Sequence, residues 1–255
     1  LNCQRGVDAA HGRWIKFIAG DDILSDQCVN DFISFLGQHP EAKFLFGSVV
    51  PFAGETVYKP ILAPREFIQG CPRRQLRLLL KKGNCILGPA SFINRETLIS
   101  IGGLDRRIAM QEDFPLWLRA TSAGIRLFFM EAICAYYRLH GDSLTGSVFL
   151  GNCADERFRR SACDTQQKVV NPLLLHEGLV FTYWHSLLRS KRNEWLGGSR
   201  WFRLSKVLHV FDPVGILRKL CDVLRIEYAY HFRYIPTREK LLSEQGTLSM
   251  RVPLI

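Results

Sequence analysis

Two adjacent carboxylates, Asp21 and Asp22, follow the apolar stretch 14–19 after a single glycine. Neighbouring carboxylates repel each other by about 1 kcal/mol in water and by several times that when partly buried. A divalent cation is the usual reason for keeping such a pair ionised, and Mg²⁺ or Mn²⁺ favours oxygen ligands and phosphates. Because Gly-Asp-Asp is also ordinary turn and helix-capping chemistry, the pair alone predicts either a cation site or a turn.

A second acidic pair, Glu112 and Asp113, lies at the start of a predicted helix over 113–122. The helix dipole stabilises carboxylates at this end, so one interpretation is a structural capping pair. The other is a general base, since a carboxylate there can take a proton from a hydroxyl nucleophile.

A third polar group, Arg138 and His140, follows a strand-like segment rich in aromatic residues. His140 is either a structural histidine or a ligand for a metal or a phosphate. All three groups lie at the edge of an apolar element, which is where loops carry function on a rigid scaffold.

The elements that must position these groups are strands and helices in alternation. The pattern predicts helices at 6–12, 27–36, 73–82 and 113–122, and a further helix that Asn94 caps and that ends at 102–103. It predicts strands at 14–19, 43–50, 90–93, 125–130 and 132–139, with a loop over 51–70. We therefore expect an α/β fold in which ligands lie at the carboxyl ends of strands.

After residue 150 the pattern changes to long, basic, aromatic-rich amphipathic segments. We therefore divide the chain into a region 1–148, which holds the three polar groups, and a basic helical region 149–255. Residues 1–150 carry 17 Lys and Arg against 14 Asp and Glu, whereas residues 151–255 carry 17 against 10. The excess of basic residues in 151–255 predicts an anionic partner: membrane lipid, nucleic acid or a phosphorylated substrate.

The segment 201–226 alternates apolar and basic residues at near-helical spacing. It is either an interfacial helix on an anionic membrane or a set of helices packed on the first region with a solvated basic face. No run reaches the ~18 apolar residues that span a bilayer. The eight cysteines form no C-x-x-C pair, which argues against a zinc module and favours free thiols in a reducing cytoplasm.

Four segments follow one another along the chain in the order GRWIKFIAGDD, ASFINRETLISIGGLD, EDFPLWLR and YYRLH. In this order they resemble the family 2 glycosyltransferases, inverting enzymes of GT-A fold that move a sugar from a nucleotide-sugar to a hydroxyl. The resemblance covers roughly residues 4–145. It implies a GT-A (Rossmann-like) mixed sheet flanked by helices, followed by a mostly helical extension.

The resemblance also implies a role for each polar group at the donor site. Asp21 matches the metal-binding acid, and His140 matches a position that completes the metal or diphosphate site. Asp22 is implied either to support the metal site from behind its ligands or to contact the donor sugar, and Arg138 to face the diphosphate. The implied cofactor is Mg²⁺ or Mn²⁺.

At the acceptor side, Asp113 matches the catalytic base of the family, with Glu112 beside it. Trp117, in the same helix, is interpreted as core packing. The chain departs from the family at Ala19, where the first acid of the motif usually stands, and at Gln4, where an asparagine is expected. The nucleotide-binding βαβαβ segment that opens the family is also expected to be absent, so that the chain is an N-terminally truncated domain.

The function implied is inverting transfer of a sugar from a nucleotide-diphosphate sugar to a glycan or a lipid-linked acceptor. We expect this in bacterial surface polysaccharide synthesis (O-antigen, capsule or lipopolysaccharide), in the cytoplasm and at the inner face of its membrane. The alternative is an inactive fragment that binds only a membrane or a partner protein. Nucleic acid is not an expected partner, because no stacked-aromatic or zinc motif accompanies the basic region.

Overall fold

The computed structural model describes residues 2–140 and 156–196 of the 255-residue chain. Its centre is a six-stranded sheet of order β1-β5-β3-β6-β2, with β4 paired to β3. Among the described strands, β3 and β6 are parallel and the other pairs are antiparallel. The strands are β1 (Trp14–Lys16), β2 (Ile23–Leu24), β3 (Phe44–Ala53), β4 (Thr56–Val57), β5 (Ser91–Asn94) and β6 (Leu127–Arg138).

Helices flank this sheet and make up the described part of the chain after residue 155. They are α1 (Asn2–Ala9), α2 (Cys28–Gln38), α3 (Arg65–Ile68), α4 (Pro72–Lys82), α5 (Arg95–Ser100), α6 (Asp113–Ser122), α7 (Glu156–Thr165), α8 (Asn171–His176) and α9 (Val180–Leu196). A 3₁₀ turn spans Gly88–Ala90, and a π-helical segment spans Gln166–Val170. The predicted α/β class, a mixed sheet flanked by helices, is therefore confirmed. The division at residue 148 stays a prediction.

The core has two parts, because successive residues of a strand face opposite sides of the sheet. Phe44 and Phe46 of β3 face α4 and α6, where Trp117 is 1% exposed. The Trp117 ring lies edge-on to both phenylalanines, with centroids 6.2 and 4.8 Å away. The interpretation of Trp117 as core packing is confirmed. Leu45 faces the other side, where α2 contributes Phe32.

The bounds of several elements differ from the predictions. The first helix covers Asn2–Ala9 rather than 6–12, and β1 ends at Lys16 rather than at residue 19. The two strands predicted over 125–139 are the single strand β6. The predicted break at Glu131 is a register irregularity instead, where Ser48 Oγ of β3 donates a hydrogen bond to Ala132 O at 2.9 Å.

Two short strands were missed, and one of them positions the polar groups. The predicted loop 51–70 contains the end of β3, the strand β4 and the helix α3. β2 has two residues, too few for a periodicity to show. It pairs with Ala135 and Tyr136 of β6 and so brings residues 21–22 beside the end of that strand.

The described residues contain no helix that is both long and apolar enough to cross a bilayer. The segment 201–226 lies outside the described residues, so both interpretations of it stay predictions.

Candidate active site

Asp21 and His140 are in direct contact. Asp21 Oδ2 lies 2.9 Å from His140 Nε2, and the two side chains are 42% and 40% exposed. The pairing of β2 with β6 accounts for this, because Asp21 precedes β2 and His140 follows β6. A carboxylate oxygen and an imidazole nitrogen at an accessible sheet edge can both bind a divalent cation and leave room for a third ligand.

Asp22 and Arg138 form the second contact at the same edge. The Arg138 backbone N–H donates to Asp22 Oδ1 at 3.0 Å, and Arg138 Nε donates to Asp21 O at 2.8 Å. The guanidinium also lies 4.6 Å from the ring centroid of Phe52, at the end of β3. These contacts hold a permanent positive charge beside the acidic pair, in a position where it can face a bound phosphate.

The second oxygen of Asp22 is the unusual group of this cluster. Oδ2 is buried and has no hydrogen-bond partner among the described residues. Burial raises the pKa of Asp22 to about 6; the Arg138 N–H lowers it, the charge of Asp21 raises it, and Lys16 lowers it. An unsatisfied buried acceptor costs about 1–3 kcal/mol, so this oxygen fits a cation or a ligand hydroxyl that would satisfy it.

Asp113 is held in place at the first turn of α6. Asn84 Nδ2 donates to Asp113 Oδ2 at 2.9 Å, and the Phe114 N–H donates to Oδ1 at 2.7 Å. Asn84 Oδ1 in turn accepts the Ile86 N–H at 3.2 Å, so the amide must present its NH₂ group to Asp113. Sequence analysis missed Asn84, a polar residue in a connection without a motif.

Burial raises the pKa of Asp113, the hydrogen bonds from Asn84 and Phe114 lower it, and the charge of Glu112 raises it again. A carboxylate whose pKa is raised toward neutrality is better matched to general base catalysis. Glu112 occupies the N-cap position but makes no side-chain capping hydrogen bond. Glu112 therefore gives the helix no capping hydrogen bond, its stabilisation by the helix dipole stays a prediction, and its charge raises the pKa of Asp113.

Lys16 is a half-buried cation whose charge acts on Asp22, and sequence analysis missed it as well. Its Nζ donates to Pro89 O in the 3₁₀ turn and, at 3.3 Å, to Phe17 O. The adjacent Gly88 faces Asp113, since a Cβ built on Gly88 would lie 3.8 Å from Asp113 Oδ2. Burial lowers the pKa of Lys16, and its charge in turn lowers the pKa of Asp22. The available signal was a single charged residue inside the apolar run 14–19.

The loop that precedes Asp113 is held by the helical region. Ser161 Oγ of α7 donates to Ala109 O, and Thr165 Oγ1 donates to Gln111 Oε1 at 3.0 Å. Between these contacts Met110 has a φ of 62°, a left-handed conformation that costs a non-glycine residue about 1 kcal/mol or more. Strained backbone persists only where surrounding contacts enforce it, and here α7 supplies those contacts.

Asp21 and His140 offer two protein ligands to a metal ion. Within residues 2–140 and 156–196, no group of three or more His, Cys, Asp or Glu side chains could hold a metal ion. Asp21 and His140 therefore converge as two donors and not as three. This donor set fits a cation that takes its remaining ligands from a bound diphosphate.

The chain was compared with known proteins. The family model described as Glycosyl transferase family group 2 matches residues 14–232. No curated protein matches the chain significantly. Similar solved structures include S. aureus TarS, with 14% identity, a TM-score of 0.41 and coverage of 77% of this chain and 31% of that one.

S. aureus TarS 1–349 in complex with UDP-GlcNAc has 14% identity and a TM-score of 0.43 over 77% of this chain and 52% of that one. The complex of the same protein with UDP has 14% identity and a TM-score of 0.38 over 63% and 43%. The chain therefore covers between 31% and 52% of the length of these structures.

Proposed function

The chain belongs to glycosyl transferase family group 2, and from this premise we propose that it transfers a sugar from a nucleotide-diphosphate sugar to a hydroxyl acceptor with inversion. The main support is the convergence of Asp21, Asp22, Arg138 and His140 at one sheet edge, together with Asp113 at the start of α6. These are the polar residues that the resemblance to the family assigned to the site.

In this proposal Asp113 is the general base. It takes the proton from the acceptor hydroxyl, and the resulting oxygen attacks the anomeric carbon from the face opposite the leaving diphosphate, which inverts that carbon. Asn84 and the Phe114 N–H each bind one carboxylate oxygen and so fix the direction of proton transfer. Base catalysis of this kind contributes about 10²–10⁴-fold to the rate.

The leaving diphosphate gains negative charge as the sugar departs. Arg138 faces that charge with a guanidinium held by Asp21 O and by the ring of Phe52. Asp21 and His140 would hold Mg²⁺ or Mn²⁺, which when bound supplies Lewis-acid stabilisation of the diphosphate. Through Oδ2, the oxygen that lacks a partner among the described residues, Asp22 accepts a hydrogen bond from a donor-sugar hydroxyl or from a ligand of the cation.

The experiment is turnover of nucleotide-sugars by the full chain, read as release of nucleoside diphosphate. We expect Asp113→Asn to lower turnover about 100-fold or more, because the amide cannot accept the proton. Donor binding, measured by calorimetry, should persist in this variant. Normal turnover by Asp113→Asn would refute the base assignment, and a wild-type chain that binds but never turns over donors would favour a binding module.

The pathway and the location are proposals of the same kind. A glycan or a lipid-linked acceptor in bacterial surface polysaccharide synthesis, used on the cytoplasmic face of a membrane, suits a family member with a basic C-terminal region. Transfer of label from a donor into a lipid extract, as against a water-soluble glycan, would decide between the two acceptor classes.

A further inference from the structure

Helix α9 presents large apolar side chains to solvent along one face. Phe181, Trp184 and Leu188 are 40%, 53% and 46% exposed, and their i, i+3, i+7 spacing places them in one row. Leu175 at the end of α8 and Val180 at the start of α9 are also exposed. We call these five residues the apolar stripe.

The opposite face of α9 carries polar side chains toward the protein. Thr182 is buried, and Ser186 Oγ donates to Asn171 Oδ1 of α8 at 3.1 Å. Tyr183 packs against the core beside these hydroxyls, so α9 is anchored on this side and still carries three large apolar groups on its outward side. A contiguous apolar patch of this kind marks an interaction surface.

Two basic side chains of α4 contact the connection that joins Leu175 to Val180 of the apolar stripe. Arg73 Nε and Arg77 Nε lie 3.4 and 3.3 Å from Glu177 Oε2, in the connection between α8 and α9. Two arginines on one carboxylate leave a surplus of positive charge, and the neighbouring Arg74 is exposed as well. Along the sequence, residues 178–193 contain no Asp or Glu.

From this juxtaposition we infer that the apolar stripe and the α4 arginines form a docking surface for an anionic phospholipid bilayer. Tryptophan and phenylalanine prefer the headgroup region, where an amphipathic helix lies in the plane of the membrane. Arginines beside them are attracted by anionic headgroups. A second protein could cover the apolar row, but the surplus positive charge at its border selects the anionic lipid. The inference does not depend on the proposed sugar transfer.

The test is flotation of the full chain with vesicles of phosphatidylcholine that contain about 30% phosphatidylglycerol, against phosphatidylcholine alone. The chain should float with the anionic vesicles and should detach as salt is raised. Phe181→Ser combined with Trp184→Ser should lower the partition coefficient about tenfold or more. The matched control is Ile33→Ser, which removes an exposed apolar side chain from α2 and should leave partitioning unchanged.

The electrostatic arm uses Arg74→Gln, which should weaken binding to the anionic vesicles about fivefold and leave neutral vesicles unaffected. Thermal unfolding and light scattering of each variant accompany the flotation. The inference fails if the wild-type chain ignores anionic vesicles, or if the double variant partitions as the wild type does. Two further results identify another occupant if the wild type does not bind vesicles. A lower unfolding temperature of the double variant would mean that the chain itself covers the apolar stripe. Loss of an oligomer in the double variant would mean that a second copy covers it.

Discussion

Asp21 contacts His140 across 2.9 Å, although 119 residues separate them in the sequence. The contact exists because β2 pairs with β6, which places the turn before one strand beside the end of the other. The same pairing brings the Arg138 N–H to Asp22. One two-residue strand therefore assembles the four residues proposed for the donor site.

Asp21→Ala and His140→Ala should each lower Mn²⁺-dependent affinity for a nucleoside diphosphate about tenfold or more, because each removes one proposed ligand of the cation. Affinity measured in chelator should change little. Calorimetric titration of UDP with and without Mn²⁺ provides the measurement. Asp26→Ala, which removes an exposed acid that follows β2, is the control; equal losses in all three variants would argue against the cation site.

Asn84→Ala should raise the pKa of Asp113, because the amide that stabilises its ionised form is lost. The acidic limb of the pH–turnover profile should then move to higher pH. Asn30→Ala, an exposed asparagine of α2, should leave the profile in place. An unshifted acidic limb in Asn84→Ala would mean that Asp113 does not set it.

Asp22 should make stability depend on pH. Its pKa is raised from 3.8 to about 6 in the folded chain, so its stabilising contribution is complete below about pH 4 and is lost as pH rises through 6. Asp22→Asn should therefore be the more stable protein at pH 7.5, by about 1–2 kcal/mol after allowance for partial exposure, with little advantage at pH 4.

Thermal unfolding of Asp22→Asn and of the wild type at the two pH values, in chelator, checks this sign. Asp26→Asn serves as the control, since its side chain is exposed. A variant that is less stable than the wild type at pH 7.5 would show that the buried oxygen has a partner in solution.

Thr165→Val should lower turnover about tenfold without changing donor KM, because it releases Gln111 from α7 and loosens the strained loop before Asp113. Thr165→Ser keeps the hydroxyl and should restore most of the rate. Steady-state kinetics at varied donor concentration separates the two parameters. An equal loss in both variants would show that the hydroxyl bond to Gln111 is not the cause, because Thr165→Ser keeps it.

Gly47→Ala should destabilise the fold by about 2 kcal/mol or more. A Cβ at this position would lie 2.6 Å from Ala132 O and closer still to Cys134 Sγ, both in the neighbouring strand β6. Gly37→Ala is the matched control: nothing lies within 4 Å of the added atom, and the residue is in α2, so about 0.5–1 kcal/mol of stabilisation is expected. Urea unfolding of both variants provides the comparison.

The fold class could be predicted because apolar periodicity is a local property. The helices α2, α4 and α6 lie close to their predicted positions, and Asn94 caps α5 as expected, with its Oδ1 accepting the Thr97 N–H at 3.0 Å. The predicted element boundaries were wrong where pairing between distant strands decides them. β6 continues past Glu131 because β3 remains beside it, and β2 exists only because β6 offers it a partner.

For the candidate site too, one part could be predicted from the sequence and the other could not. The sequence by itself determined which acidic, basic and imidazole groups end apolar elements, since type and order are written along the chain. Only the tertiary structure decided that Asp21 meets His140, that Asn84 orients Asp113, and that Lys16 bonds to Pro89 O in the 3₁₀ turn. The physical reason is that a hydrogen bond depends on distances of about 3 Å between residues far apart in the chain, and that burial, which sets the pKa of Asp22, is a property of the assembled fold.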